Sequence, residues 1–299
     1  MSFYEEMSAN KRKSSLLVFF FFILVVFLGF VLGGMYGSTY SGLILAAVLG
    51  IIYFLFSYYV GASAILAMTK AKEATKPEYT HLINTVESLA IAAGLPRPKV
   101  YVIEDSALNA FATGRDPAHA SITVTTGLLQ KMNRLELEGV IAHEMSHIKN
   151  FDIRVMMLAA VMVGLTVLLS DFILRSFLWG GKQRDRESSQ LSIIFIILGL
   201  ALAVLAPLIG ELMKLAISRK REFLADASGA MLTRYPQGLA DALQKIKNDP
   251  DPLVDTANKA TAHLFISTPF RQKKGTSFLQ NLFSTHPPLE ERIKILKGM

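Results

Sequence analysis

The chain has 299 residues, with 31 Lys and Arg against 24 Asp and Glu, and no cysteine. Lack of cysteine excludes disulfides, thiolate metal sites and cysteine nucleophiles. With 52% hydrophobic residues and a mean hydropathy of +0.38, the composition points to a membrane protein. The net charge of +7 is scattered over clusters that flank apolar segments, so anionic lipid headgroups account for it and nucleic acid does not.

Residues 1–13 read as a short cytoplasmic N-terminus ending in Lys11, Arg12 and Lys13. From Ser14 to Thr69 no side chain is charged, and these 56 residues suffice for two bilayer crossings. The first span, from Leu16 to about Gly34, is too long for a signal-peptide core and has no small-x-small cleavage site, so it is retained. An uncharged polar turn over 33–42 leads into a second span, from about Leu43 to Met68, with Lys70, Lys72 and Lys76 directly after it. Positive charge at both outer ends of this hairpin places the N-terminus, and everything after Lys70, in the cytoplasm.

A second apolar pair, at Val155 to about Leu174 and Leu191 to about Ile217, makes residues 155–217 a second hairpin. Asp171 and Arg175 interrupt its first arm, which leaves a short tilted span, a partly immersed arm and a buried soluble helix pair all open. The soluble material, 70–154 and 218–299, together has the size of one compact domain.

Leu137, Ile141, Met145 and Ile148 recur at helical spacing and predict a buried stripe, which leaves His143 and His147 together on another face. Two imidazoles one turn apart converge on a single cation, and Glu144 between them points beside the metal, where it can take a proton from an activated water and pass it to a leaving amine. Zinc at a hydrolytic site needs a third protein ligand. The metzincin continuation is missing after His147. The best candidate is Glu222, with Asp226 one turn further on to accept the outer N–H of a ligand imidazole. Ligands at 143, 147 and 222 require that the intervening apolar pair cross the membrane zero or two times. The donor types suit zinc, and cobalt or manganese would fit the same atoms in vitro.

The His143-Glu144-Met-Ser-His147 helix, Asn109-Ala110-Phe111-Ala112 upstream, Ser218-Arg219 with Glu222 and Asp226, and Thr285-His286-Pro287-Pro288 near the end together resemble the HtpX family, bacterial membrane-bound zinc metalloproteases related to the CAAX prenyl endopeptidases. The resemblance covers nearly the whole chain. It implies a mainly α membrane protein with four apolar helices and a cytoplasmic α+β zincin domain of gluzincin type, holding one Zn2+. It further implies that Asn109, Ala110 and Phe111 belong to an active-site edge strand that pairs with substrate backbone. A second strand is expected over Ile122–Thr125, after a turn around Gly114–Pro117. His286 and Arg292 are implied to line the cleft and stabilise a developing oxyanion, and Asp152 to orient a ligand or to cap the chain as it enters the bilayer. The activity implied is a membrane zinc endopeptidase acting on membrane-protein or polypeptide substrates at the cytoplasmic face of the cell membrane, in quality control under stress. A prenyl-protein endopeptidase and a catalytically silent metal-binding adaptor are the alternatives, and the sequence leaves the oligomeric state open.

Overall fold

The computed structural model describes residues 3–35, 38–160, 219–249, 264–266 and 287–299. The expected second apolar hairpin lies almost wholly outside these, as does His286. The chain opens with two long helices, α1 (Phe3–Met35) and α2 (Thr39–Met68), the second capped by Ser38. They pack antiparallel through aromatic contacts, with Phe21 stacked on Tyr53 at 5.6 Å between ring centroids and Phe22 against Phe54 at 5.9 Å. Their outward residues, among them Phe19, Ile23, Phe27, Ile44 and Phe56, are exposed. Among the described residues α2 is long and apolar enough to cross a membrane.

A small mixed sheet follows, built from β1 (Lys72–Glu73), β2 (Lys99–Ile103), β3 (Ala110–Gly114) and β4 (Ala120–Thr125) in the order β1-β2-β4-β3. Strands β2 and β4 are parallel, whereas β1 and β3 run antiparallel to their neighbours. The turn expected around Gly114–Pro117 extends into a single 3-10 turn over Pro117–His119, capped by Asp116. Helix α3 (Lys76–Ala93) and α5 (Arg134–Lys149) pack against the sheet, with the short α4 (Thr126–Lys131) between β4 and α5. Behind α5 lie α6 (Arg219–Thr233), α7 (Pro236–Lys247) and α8 (Leu289–Lys297).

Alternation along β3 sends Ala110 and Ala112 into the main core with α3 and α5, and Phe111 into a second cluster with Ile65 of α2, Met156, Met157 and Phe265. Every residue of β3 is therefore buried although the strand stands at the edge of the sheet. Residues 152–160 are helical, and Val155 to Ala160, expected to begin a span, are packed inside the protein.

Helix α5 starts at a capping box: the Asn133 side chain accepts from Glu136 N–H at 3.0 Å, and Glu136 Oε2 accepts from Asn133 N–H at 2.7 Å. Lys245 of α7 donates to the same Glu136 oxygen at 2.7 Å. The two helices cross at Gly139, where a Cβ would stand 2.6 Å from Leu239 N and 2.8 Å from its Cα. Those neighbours are backbone and cannot turn aside, so Gly139→Ala is expected to destabilise the fold by about 1–3 kcal/mol, read as a lower melting temperature. At its other end α5 stops at Asn150, and Phe151 takes φ 60° before the chain turns into 152–160. A bulky residue in the left-handed region costs on the order of 1–3 kcal/mol, so its surroundings must hold it there.

Candidate metal centre

The predicted stripe of Leu137, Ile141, Met145 and Ile148 is buried in the core against α3, α7 and the sheet. His143, Glu144 and His147 are themselves buried, on the side of α5 that meets α6. On α6 the residues Glu222, Ala225, Asp226 and Gly229 recur at one- and two-turn spacing and form the facing surface. Gly229 allows the approach: a Cβ there would come within 3.0 Å of His143 N.

Across this contact His143 Nε2 lies 3.2 Å from His147 Nε2, 3.7 Å from Glu222 Oε2, and His147 Nε2 lies 3.6 Å from Glu222 Oε1. Two nitrogen or oxygen ligands on a tetrahedral zinc, each about 2.0–2.1 Å from it, stand about 3.3–3.4 Å apart. The three donors thus meet with the spacing of ligands to one ion, and among the described residues they are the one group so arranged. Both imidazoles are turned for the purpose. His143 Nδ1 is 3.0 Å from Asp226 Oδ1 and His147 Nδ1 is 2.9 Å from Asp152 Oδ2, so each Nδ1–H is held by a carboxylate and each Nε2 faces the shared point.

A second ring of charge surrounds these groups. Arg292, fully buried on α8, donates to both Asp226 oxygens, Nε to Oδ2 at 2.8 Å and Nη2 to Oδ1 at 2.7 Å. Its Nη1 lies 3.4 Å from Glu222 Oε2 and donates to Ile266 O at 3.2 Å. Arg221 Nε pairs with Asp152 Oδ1 at 2.7 Å. Burial resists ionisation of Asp226, but the charge of Arg292 and the bonds from His143 and Arg292 hold its carboxyl down to about 2. His143 is lowered by burial, with Arg292 and His147 adding to the effect.

Burial also pushes the Glu144 carboxyl up to about 7, Glu222 adding to the rise while His147, Arg292 and a hydrogen bond from Ala112 N–H oppose it. Burial disfavours a charged His147, yet the Asp152 hydrogen bond and the charges of Glu222, Asp152 and Glu144 outweigh it and raise the imidazole from 6.5 to about 9. The sign follows. In the metal-free fold a raised His147 contributes stability that is complete below 6.5 and lost as pH rises through about 9. Glu144, raised from 4.5 to about 7, acts in the same direction. A metal needs His147 without that proton. The melting temperature of the metal-free protein should therefore fall between pH 6.5 and 9, and the increase produced by added zinc should grow over the same window.

Strand β3 borders the site. Asn109 O accepts from Thr125 N–H, so Phe111 and Thr113 face β4 with their backbone groups while Ala110 and Ala112 face outward. Of these outward groups, Ala112 N–H is bonded to Glu144, and Ala110 O accepts from Ile266 N–H at 2.9 Å. Phe265 lays its ring edge-on to Phe111 at 5.0 Å. Asn109 is buried, its Oδ1 accepting from Ala110 N–H and its own N–H bonded to Thr125 Oγ1.

The structure thus brings together His143, Glu144, His147, Glu222, Asp226, Asp152 and Arg292. It sets Ala110 and Phe111 under residues 264–266, and His286 lies outside the described residues. Arg292, expected to act on an oxyanion, has its guanidinium on Asp226, Glu222 and Ile266 O. Three participants were not expected. Ala112 acts through a backbone N–H, which no residue type announces. Arg221 was readable only as a member of a basic run. Asn10 of α1 stands 211 positions from Arg221 in sequence and carries no local signal.

A model of peptidase family M48 matches residues 77–299. The chain belongs to this family. M48 relatives along its full length include a protease HtpX homologue of Dictyoglomus thermophilum, 46% identical over 298 residues that cover 100% of this chain and 95% of that protein. Others are the protease HtpX homologues of Thermoanaerobacter pseudethanolicus, 46% identical over 300 residues covering 100% and 98%, and of Streptococcus thermophilus, 44% identical over 302 residues covering 99% of each. The crystal structure of S. mikatae Ste24p shares the fold, with a TM-score of 0.52 at 21% identity over 98% of this chain and 67% of that one. As an M48 member the chain is an HtpX-type metalloprotease, a hydrolase of a family that is zinc-dependent in general.

Proposed function

We propose that the chain is an integral membrane zinc endopeptidase in which His143, His147 and Glu222 hold the ion, and that it cleaves polypeptides at the cytoplasmic face, where misfolded membrane proteins present unfolded loops. The observation that carries this is the convergence of two Nε2 atoms and one carboxylate within 3.2–3.7 Å of one another, with the carboxylate of Glu144 alongside. Once bound, zinc would supply Lewis acidity to a peptide carbonyl and acidify water at that point.

The protein's own residues supply the rest. Glu144, its carboxyl pushed up by burial to about 7, is suited to accept a proton from water and return it to the departing amine. Asp226 and Asp152 hold the two imidazoles in the tautomer that leaves Nε2 open. Arg292 keeps Asp226 ionised and balances Glu222, and we assign it this positioning role. An extended substrate would pair with the outward side of β3 by displacing Ile266 from Ala110 O, a recognition that reads main chain and so accepts many sequences.

Support for the cytoplasmic orientation comes from the Lys and Arg clusters at both outer ends of the α1–α2 hairpin. Metal analysis tests the central claim. The purified protein should carry one zinc per chain, and Glu222→Ala should carry far less. Zinc retained in full by that variant would refute the ligand set. Because the chain has no cysteine, a single introduced one, Glu73→Cys, labelled from either side of sealed vesicles would decide the orientation. Direct competition between an unlipidated unfolded membrane protein and a prenylated peptide should favour the former.

A further inference from the structure

Helix α1 does more than enter the lipid. Near its start Asn10 is fully buried, 140 positions in sequence from its first partner, and its amide is used at both ends. Asn10 Nδ2 donates to Asn150 O at 2.8 Å and to Asp152 Oδ1 at 2.7 Å, and Asn10 Oδ1 accepts from Arg221 Nη2 at 2.8 Å. Each partner adjoins the metal centre. Asp152 presents its other oxygen to His147 Nδ1 at 2.9 Å, Arg221 precedes Glu222 in the chain, and Asn150 closes the helix that carries both histidines.

A second observation concerns the turn between Asn150 and Asp152. Phe151 is held at φ 60°, a conformation that a bulky side chain adopts only under constraint. Asn10 bonds the residues on both sides of it. Its neighbour Lys11 places Nζ 4.9 Å from the Phe151 ring centroid, and Arg154 lies over the same ring at 5.0 Å. Two consecutive residues of α1 therefore clasp the strained turn from which Asp152 reaches back to His147.

We propose that Asn10 is a positioning residue of the metal centre, fixing the Asp152 carboxylate and the Asn150–Asp152 turn so that His147 presents Nε2 to the ion, and that the first membrane helix thereby forms part of the catalytic apparatus. The amide is matched to the task. It offers two donors to two acceptors and one acceptor to a guanidinium, a set that neither Asp nor Leu provides. Loss of an outer partner of a ligand histidine typically weakens metal binding by 10- to 100-fold. This inference rests on the metal assignment above.

The test uses the full-length protein in detergent, comparing the parent, Asn10→Ala, Asp152→Asn and the double variant. Apparent zinc affinity is read by chelator competition, and kcat and KM on an unfolded polypeptide. Asn10→Ala is expected to weaken zinc binding measurably, by no more than the roughly 10- to 100-fold that loss of Asp152 itself would cost, and to lower kcat with KM unchanged. If Asn10 works through Asp152, the double variant loses no more zinc affinity than Asp152→Asn alone. Unaltered affinity in Asn10→Ala, or losses that simply add in the double variant, would overturn the proposal. Should Asn10→Ala not fold, Asn10→Ser is measured instead, since it keeps one polar atom in the same space. Failure of both to fold with zinc in excess would show that Asn10 serves the fold and not the centre. If the parent itself binds no zinc, the metal assignment falls and this proposal with it.

Discussion

Glu144→Gln is expected to lower kcat by about 10²–10⁴-fold while zinc content stays at that of the parent. Glutamine has the same shape and keeps an oxygen to accept from Ala112 N–H, so the packing of α5 against β3 is undisturbed. What it cannot do is take up and release a proton. Burial has raised Glu144 to about 7, the value at which a group exchanges protons most readily at neutral pH, and that property is lost outright in the amide. Steady-state cleavage of an unfolded polypeptide, alongside metal analysis, separates this outcome from loss of the ion. Unchanged turnover in a zinc-replete Glu144→Gln protein would show that another group handles the proton.

Arg292→Leu should have the largest effect on stability. The guanidinium is fully buried, bonds both oxygens of Asp226 and stands 3.4 Å from Glu222. Removing it leaves two buried carboxylates without their cation, and breaking a buried pair in this way costs about 3–5 kcal/mol. Freed from Arg292, Asp226 would also lose the charge that keeps it ionised against His143, so zinc should bind more weakly. Arg292→Lys restores the charge without the two-pronged geometry and should recover only part of the loss. Melting temperature and zinc content of the two variants, measured side by side, check both statements. An Arg292→Leu protein as stable as the parent would mean that water reaches this cluster.

Much of this site was legible in the sequence because its elements obey local periodicities. Residues 143 and 147, and again 222 and 226, lie one helical turn apart, and each pair shares a face because a helix returns on itself every three to four residues. The uncharged run from Ser14 to Thr69 announced the α1–α2 hairpin, and the alternation at Ile122–Thr125 announced β4. Contacts that depend on distant parts of the chain were not legible. Arg292 is an ordinary charged residue of a terminal helix until α8 lays it against Asp226. Asn10 lies amid polar and basic residues that a sequence reading assigns to solvent, and only folding delivers it to Asp152. Ile266 is tied to Ala110 by a backbone hydrogen bond, whose donor every residue but proline possesses.

The crossing at Gly229 has a consequence for which ions the centre admits. With a hydrogen where other residues carry a side chain, α6 rests on the main chain of α5 at His143. The helix separation from which the Glu222 carboxylate reaches the two imidazoles is thus set by two rods in touch. Calcium, with a demand for six or more oxygen neighbours, would meet two imidazole nitrogens and one carboxylate across that contact, with no room between the rods for further side chains of α5 and α6 at Gly229. A four-coordinate cation that accepts nitrogen finds its neighbours already spaced, so the close crossing of α5 and α6 prepares the place for such an ion.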